Sequence, residues 1–137
     1  MPPDQQSQPA RSSPHSLRSR LGSVRIALAG WASVLRTEPN ARVHAVATAL
    51  VIGLAVWLRL PAAETALLAF AIGIVWVAEL LNTAIEDAVD LASPERDPVA
   101  GRAKDLAAGA VLAAAATAAT VGLLVLGPPL LVAVGLR

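Results

Sequence analysis

Three long apolar stretches dominate the chain: Ala45 to Leu58, Thr65 to Val77, and Leu106 to Leu126. The last has 21 residues and no charge. An α-helix rises ~1.5 Å per residue, so about 20 residues cross a ~30 Å hydrocarbon core. The pattern therefore predicts membrane spans over about 40–60, 64–91 and 101–126. Thr37-Glu38-Pro39-Asn40 separates the first span from what precedes it. Pro39 suits the first turn of a new helix, and Thr37 or Glu38 is placed to cap it. Leu60-Pro61-Ala62-Ala63-Glu64 reads as a tight turn, and Ala92 to Pro98 as a polar loop with two prolines. Gly127-Pro128-Pro129 is expected to stop the third span.

Ahead of the spans, Leu21, Val24, Leu28, Trp31 and Leu35 recur every three or four residues, with Arg25, Ser33 and Arg36 off that stripe. That spacing predicts an amphipathic helix over 21–36, lying in the membrane interface with Trp31 at head-group depth. Residues 1–20 hold four of the ten prolines, with Ser, Gln and Arg between them, and are expected to be a disordered tail. The apolar stretch behind it is short and interrupted by Arg25 and Gly30, so no cleaved signal is expected. The expected organisation is a tail followed by one membrane domain over 21–137. The fold class is all-α integral membrane, with one surface helix and three transmembrane helices.

Composition agrees, with 55% hydrophobic and 15% charged residues, against roughly 25% charged in soluble domains. Without cysteine there is no disulfide or thiolate chemistry. Without tyrosine, and with a single phenylalanine, there is no base-stacking surface for nucleic acid. Net charge is +1, but its placement is uneven. Arg11, Arg18, Arg20, Arg25, Arg36 and Arg42 precede the first apolar run, and Arg96, Arg102 and Lys104 follow the second. The opposite side has Arg59 and Arg137. The positive-inside rule then puts the N-terminus and the Pro94 loop in the cytoplasm.

Chemistry concentrates where the second span emerges. Glu79, Asn82, Glu86 and Asp90 are spaced by three, four and four residues. On a helix they form one stripe spread over roughly 80°. From Glu79 to Asp90 is roughly 16 Å of helix, so Glu79 lies nearest the lipid and Asp90 nearest water. Carboxylates at the end of an apolar helix are costly unless paired, hydrated or bound to a cation. A cation in turn suggests phosphate. Phosphoryl transfer requires a divalent cation, a fixed positive charge and a group that takes the acceptor's proton. Glu38 and Glu86 are candidates for the carboxylates of Mg²⁺, Lys104 for the positive charge, and Glu79 for the base toward a hydroxyl at head-group level. No Walker-type or GxGxxG loop is present. Three short spans cannot bury the stripe well in a monomer, which favours an oligomer.

These residues resemble the prokaryotic diacylglycerol kinase family, which includes undecaprenol kinases. The likeness extends over about Ser23 to Gly122. It is sharpest at Ala78-Glu79-Leu80-Leu81-Asn82-Thr83-Ala84-Ile85-Glu86…Asp90, similar to the family's E-x-x-N-x-x-x-E-x-x-x-D signature. Glu38-Pro39-Asn40-Ala41-Arg42-Val43-His44, Ser93-Pro94-Glu95 and Ala103-Lys104-Asp105-Leu106 support it. The resemblance implies a homotrimeric ATP- and Mg²⁺-dependent lipid kinase of the bacterial inner membrane, with composite sites between protomers. Glu79 matches the proton acceptor and Glu38 and Glu86 the metal carboxylates. Glu95, Arg96, Asp97, Lys104 and Asp105 match nucleotide contacts, and Asn82 and Asp90 match other polar residues of that site.

The chain departs from the family at Arg96-Asp97, where Tyr-His is frequent, at Ile26 for tyrosine and at Ala29 for lysine. For the nucleotide-binding arginine that the resemblance implies in the N-terminal region, Arg18, Arg20 and Arg25 are all candidates. Glu38-x-Asn40-x-Arg42-x-His44 looks more like the undecaprenol than the diacylglycerol branch, while His44 by itself reads as a helix-packing residue. The competing expectation is a non-catalytic membrane protein of the same fold.

Overall fold

The computed structural model describes residues 17–93 and 97–136, with side chains from Gly22 onward. Residues 1–16 of the tail expected over 1–20 lie outside the described residues, as do Glu95, Arg96 and Arg137 and the side chains of Arg18 and Arg20, while 17–20 are helical and not tail. Four helices follow in order: α1 Leu17–Thr37, α2 Pro39–Trp57, α3 Ala62–Ala92 and α4 Pro98–Ala133. The described residues contain no strand. The chain divides into two units, Met1–Ser33 and Val34–Arg137.

In the first unit α1 begins four residues before the expected Leu21. Leu17 and the flanking arginines are good helix formers, and the last proline upstream is Pro14. Val24, Leu28 and Trp31, members of the expected apolar stripe, are exposed. An apolar face left open in this way suits a helix lying at a bilayer surface.

In the second unit α2, α3 and α4 are each long and apolar enough to cross a membrane. The apolar window of α3 is 28% buried, against 11% for α2 and for α4, so α3 is the helix the other two pack on. The outward faces carry Val43, Val46, Leu50, Phe70, Val77, Leu112, Leu123 and Leu124 in the open. So much exposed hydrocarbon is stable only against lipid or other protein. Threonine hydroxyls bond back within their own helices, Thr117 to the Ala113 carbonyl and Thr120 to that of Ala116, both at 2.9 Å. That satisfies polar atoms where no water is present.

Two small cores hold the helices together. Val34, Ala41 and Trp76 pack near the α1–α2 corner, while Ala55, Leu68 and Leu126 pack at the far end. Between them the Trp76 indole Nε1 donates to Thr48 Oγ1 at 3.1 Å. The α2–α3 corner closes with Leu60 N bonded to the Ala55 carbonyl and Arg59 N to that of Val56, a Schellman pattern. Arg59 takes the left-handed conformation such a cap requires, at φ 52°.

The expected stop at Gly127-Pro128-Pro129 does not occur, and α4 runs through both prolines to Ala133. In water a proline frees carbonyls that water can solvate, and the helix ends there. In hydrocarbon those carbonyls have no better alternative, so the helix continues. With 31 and 36 residues, α3 and α4 are roughly 46 and 54 Å long, well beyond a ~30 Å core. The surplus of α3 carries the Glu79–Asp90 stripe out of the apolar layer.

Candidate functional site

The stripe behaves as one face with a gradient of burial. Glu79 is 2% exposed, the one polar or charged side chain among the buried described residues. Asn82 and Glu86 are half-buried and Asp90 is exposed, while Ala84, Ile85 and Asp87 off the stripe are all exposed. Asn82 Nδ2 donates to Glu86 Oε1 at 2.8 Å, a bond its i, i+4 spacing allows. Glu79 Oε2 and Asn82 Oδ1 are buried without a hydrogen-bond partner among the described residues. Such atoms are rare in folded proteins and mark a place where something else is expected to bind.

Glu79 faces α2. His44 Nε2 stands 3.9 Å from Glu79 Oε2. Glu38, just ahead of α2, and Glu86 are close enough for their charges to act on Glu79. Glu38 occupies the capping position of α2, with Pro39 in the first turn, but its side chain makes no cap hydrogen bond. Its carboxylate is therefore left for other work. The corner that presents it is fastened by Arg42, which donates from Nε to the Leu35 carbonyl at 3.2 Å and from Nη2 to that of Arg36. These are orphan carbonyls at the end of α1, and a cation there also complements the helix dipole.

On α4 the expected site residues separate. Lys104 is half-buried and donates from Nζ to Asp90 Oδ1, joining the stripe to α4. Asp105, one residue on, is exposed. Asp97 is the N-cap of α4, accepting from Val99 N at 2.7 Å and Ala100 N at 3.1 Å through Oδ1. A stabilising role for Asp97 thus stands beside the nucleotide contact expected of it.

The structure accordingly gathers Glu79, Glu38, Glu86, Asn82 and His44 at one end of the α2–α3 pair, with Asp90 and Lys104 beyond. Among the described residues no three acids or histidines form a ready-made metal cage. Mg²⁺ does not usually take one; it binds one or two carboxylates together with substrate phosphate oxygens. The unpartnered oxygens and the all-oxygen donor set of Glu38, Glu86 and Asn82 fit such a shared site. His44 and Arg42 emerge as more than packing and charge balance. The signal for both was their place in the first turns of an apolar span, at the depth of the acids on α3.

The sequence model of prokaryotic diacylglycerol kinase matches residues 25–126. The chain is 45% identical over 112 residues to a diacylglycerol kinase of a Synechocystis species, covering 81% of this chain and 64% of that protein. It is 41% identical over 95 residues to the undecaprenol kinase of Bacillus subtilis, covering 69% and 77% of the two chains. It is 39% identical over 77 residues to the diacylglycerol kinase of Escherichia coli K12, covering 56% and 63%. The chain thus spans less than two thirds of the first and third of these relatives.

Proposed function

This chain belongs to the prokaryotic diacylglycerol kinase family, and on that premise we propose that it is a membrane kinase moving the ATP γ-phosphoryl group onto a lipid alcohol. The observation that carries this is the buried Glu79 carboxylate, with one oxygen unpartnered, heading a polar stripe that runs outward to Asp90. Glu79 Oε2 takes the proton of the acceptor hydroxyl as its oxygen attacks the γ-phosphorus. Glu38 and Glu86 would hold Mg²⁺, and the ion would supply neutralising charge to the triphosphate. The nucleotide contacts assigned are Lys104, Asp105, Asp97, Glu95 and Arg96, with Asn82 and Asp90 as supporting polar groups.

Undecaprenol is the proposed acceptor in preference to diacylglycerol. The Glu38-x-Asn40-x-Arg42-x-His44 pattern supports it. The working form is a homotrimer in the bacterial inner membrane, its N-terminus in the cytoplasm. The 11% burial of the α2 and α4 windows within one chain supports an assembly. The test supplies purified protein, radiolabelled ATP and Mg²⁺ with undecaprenol or diacylglycerol in parallel micelles. Label in undecaprenyl phosphate at the higher kcat/KM is expected; a preference for diacylglycerol would reverse the choice of acceptor.

A further inference from the structure

His44 and Glu79 are close, but not bonded. At 3.9 Å, Nε2 and Oε2 are too far apart for a direct hydrogen bond, which needs about 2.7–3.2 Å. One oxygen atom fits between them: placed about 2.8 Å from each, it sees the two at an angle of roughly 90°. Glu79 Oε2 is buried and without a partner, so it has an unused acceptor site facing this gap. The imidazole is half-buried, so it is held against α3 instead of standing free in solvent.

A second observation points to what the oxygen belongs to. An apolar groove of about 570 Å³ runs between α2, α3 and α4. Among its described lining residues His44 is the one ionisable group. From His44 and Thr48 the groove continues past Ala115, Ala119 and Gly122 to Leu130, near the opposite end of the bundle. The alanines and glycine leave a channel where larger side chains would fill it. An oxygen held at His44 therefore has a carboxylate on one side and hydrocarbon-lined space on the other, which is the shape of a long-chain alcohol.

We propose that His44 positions the acceptor hydroxyl: Nε2–H donates to the hydroxyl oxygen, the hydroxyl donates to Glu79 Oε2, and the hydrocarbon chain lies in the groove. This rests on the lipid-kinase function proposed above. In the transfer the O–H bond breaks and its proton goes to Glu79 Oε2. The freed electron pair forms the new bond to the γ-phosphorus, the bond to the ADP oxygen breaks, and His44 keeps its own proton throughout. A side chain that only packed would need volume and no donor, and the test turns on that difference.

The full chain is compared with His44→Leu and His44→Gln in mixed micelles containing undecaprenol, with kcat and KM measured separately for lipid and for ATP. His44→Leu is expected to lower kcat/KM for the lipid about tenfold or more, as loss of one hydrogen bond to the reacting oxygen implies. Its KM for ATP stays within about twofold, and it elutes from gel filtration as wild type does. His44→Gln keeps a donor and recovers most of the loss. Should His44→Leu not assemble, His44→Met takes its place against His44→Gln, the two being of similar length. Wild-type kcat/KM in the apolar variant, equal losses in the apolar and Gln variants, or a parallel rise in the KM for ATP would each overturn the role of His44. No labelled lipid from wild type itself would instead overturn the lipid-kinase function.

Discussion

Replacing Glu79 by glutamine separates chemistry from fold. The substitution keeps the shape of a side chain that is 2% exposed and removes its capacity to accept a proton. General-base catalysis contributes about 10²–10⁴-fold. At ~1.36 kcal/mol per tenfold, that is about 2.7–5.4 kcal/mol of transition-state stabilisation, and kcat for lipid phosphorylation is expected to fall by that factor. Stability is expected to move the other way or stay level. In wild type the carboxylate is buried and its Oε2 has no hydrogen bond. A neutral amide of the same shape costs less to bury than a carboxylate. His44 Nε2 stands 3.9 Å from Oε2, a separation at which no hydrogen bond is lost. Turnover is followed by label transfer from ATP, and stability by the midpoint of thermal unfolding in the same detergent. Undiminished turnover would remove Glu79 from the base role. A midpoint several degrees lower would show that the carboxylate is structural and that the unpartnered oxygen has been misunderstood.

Two further substitutions bear on the neighbouring groups. Glu86→Gln is expected to raise the Mg²⁺ concentration giving half-maximal rate by about tenfold, on the scale of one lost charged ligand, and a titration that overlays wild type would contradict its place at the metal. Asp97→Ala removes the α4 cap and is expected to cost about 1 kcal/mol of stability, seen as a lower unfolding midpoint. Asp97→Ser restores the cap without the charge, so a KM for ATP that stays raised in this variant identifies the nucleotide contact.

Much of this arrangement was legible in the residues because membranes enforce simple rules. Apolar runs of span length have few alternatives, and all four helices were expected with ends within a few residues, apart from one. Gly127-Pro128-Pro129 misled because helix-stopping by proline is a rule of aqueous chains, and α4 continues in hydrocarbon. The stripe was legible because 3.6-residue periodicity brings Glu79, Asn82, Glu86 and Asp90 to one face, and their graded exposure follows. The pairings between helices were not legible. Periodicity places residues on a face of their own helix, but which residue of α2 meets Glu79 depends on how two helices register. That is why His44 read as packing and Lys104 only as a positive charge for phosphate, when one faces Glu79 and the other holds Asp90. Likewise the pairing of Arg42 with the carbonyls of Leu35 and Arg36 depends on the angle at Glu38-Pro39, which no spacing rule supplies.

The most direct measurement is transfer of label from radiolabelled ATP to a long-chain lipid alcohol by the purified chain in micelles containing Mg²⁺. Time-dependent, Mg²⁺-dependent phosphorylated lipid, reduced about 100-fold or more by Glu79→Gln with assembly intact, is the predicted result. A well-assembled protein that phosphorylates neither undecaprenol nor diacylglycerol would contradict it.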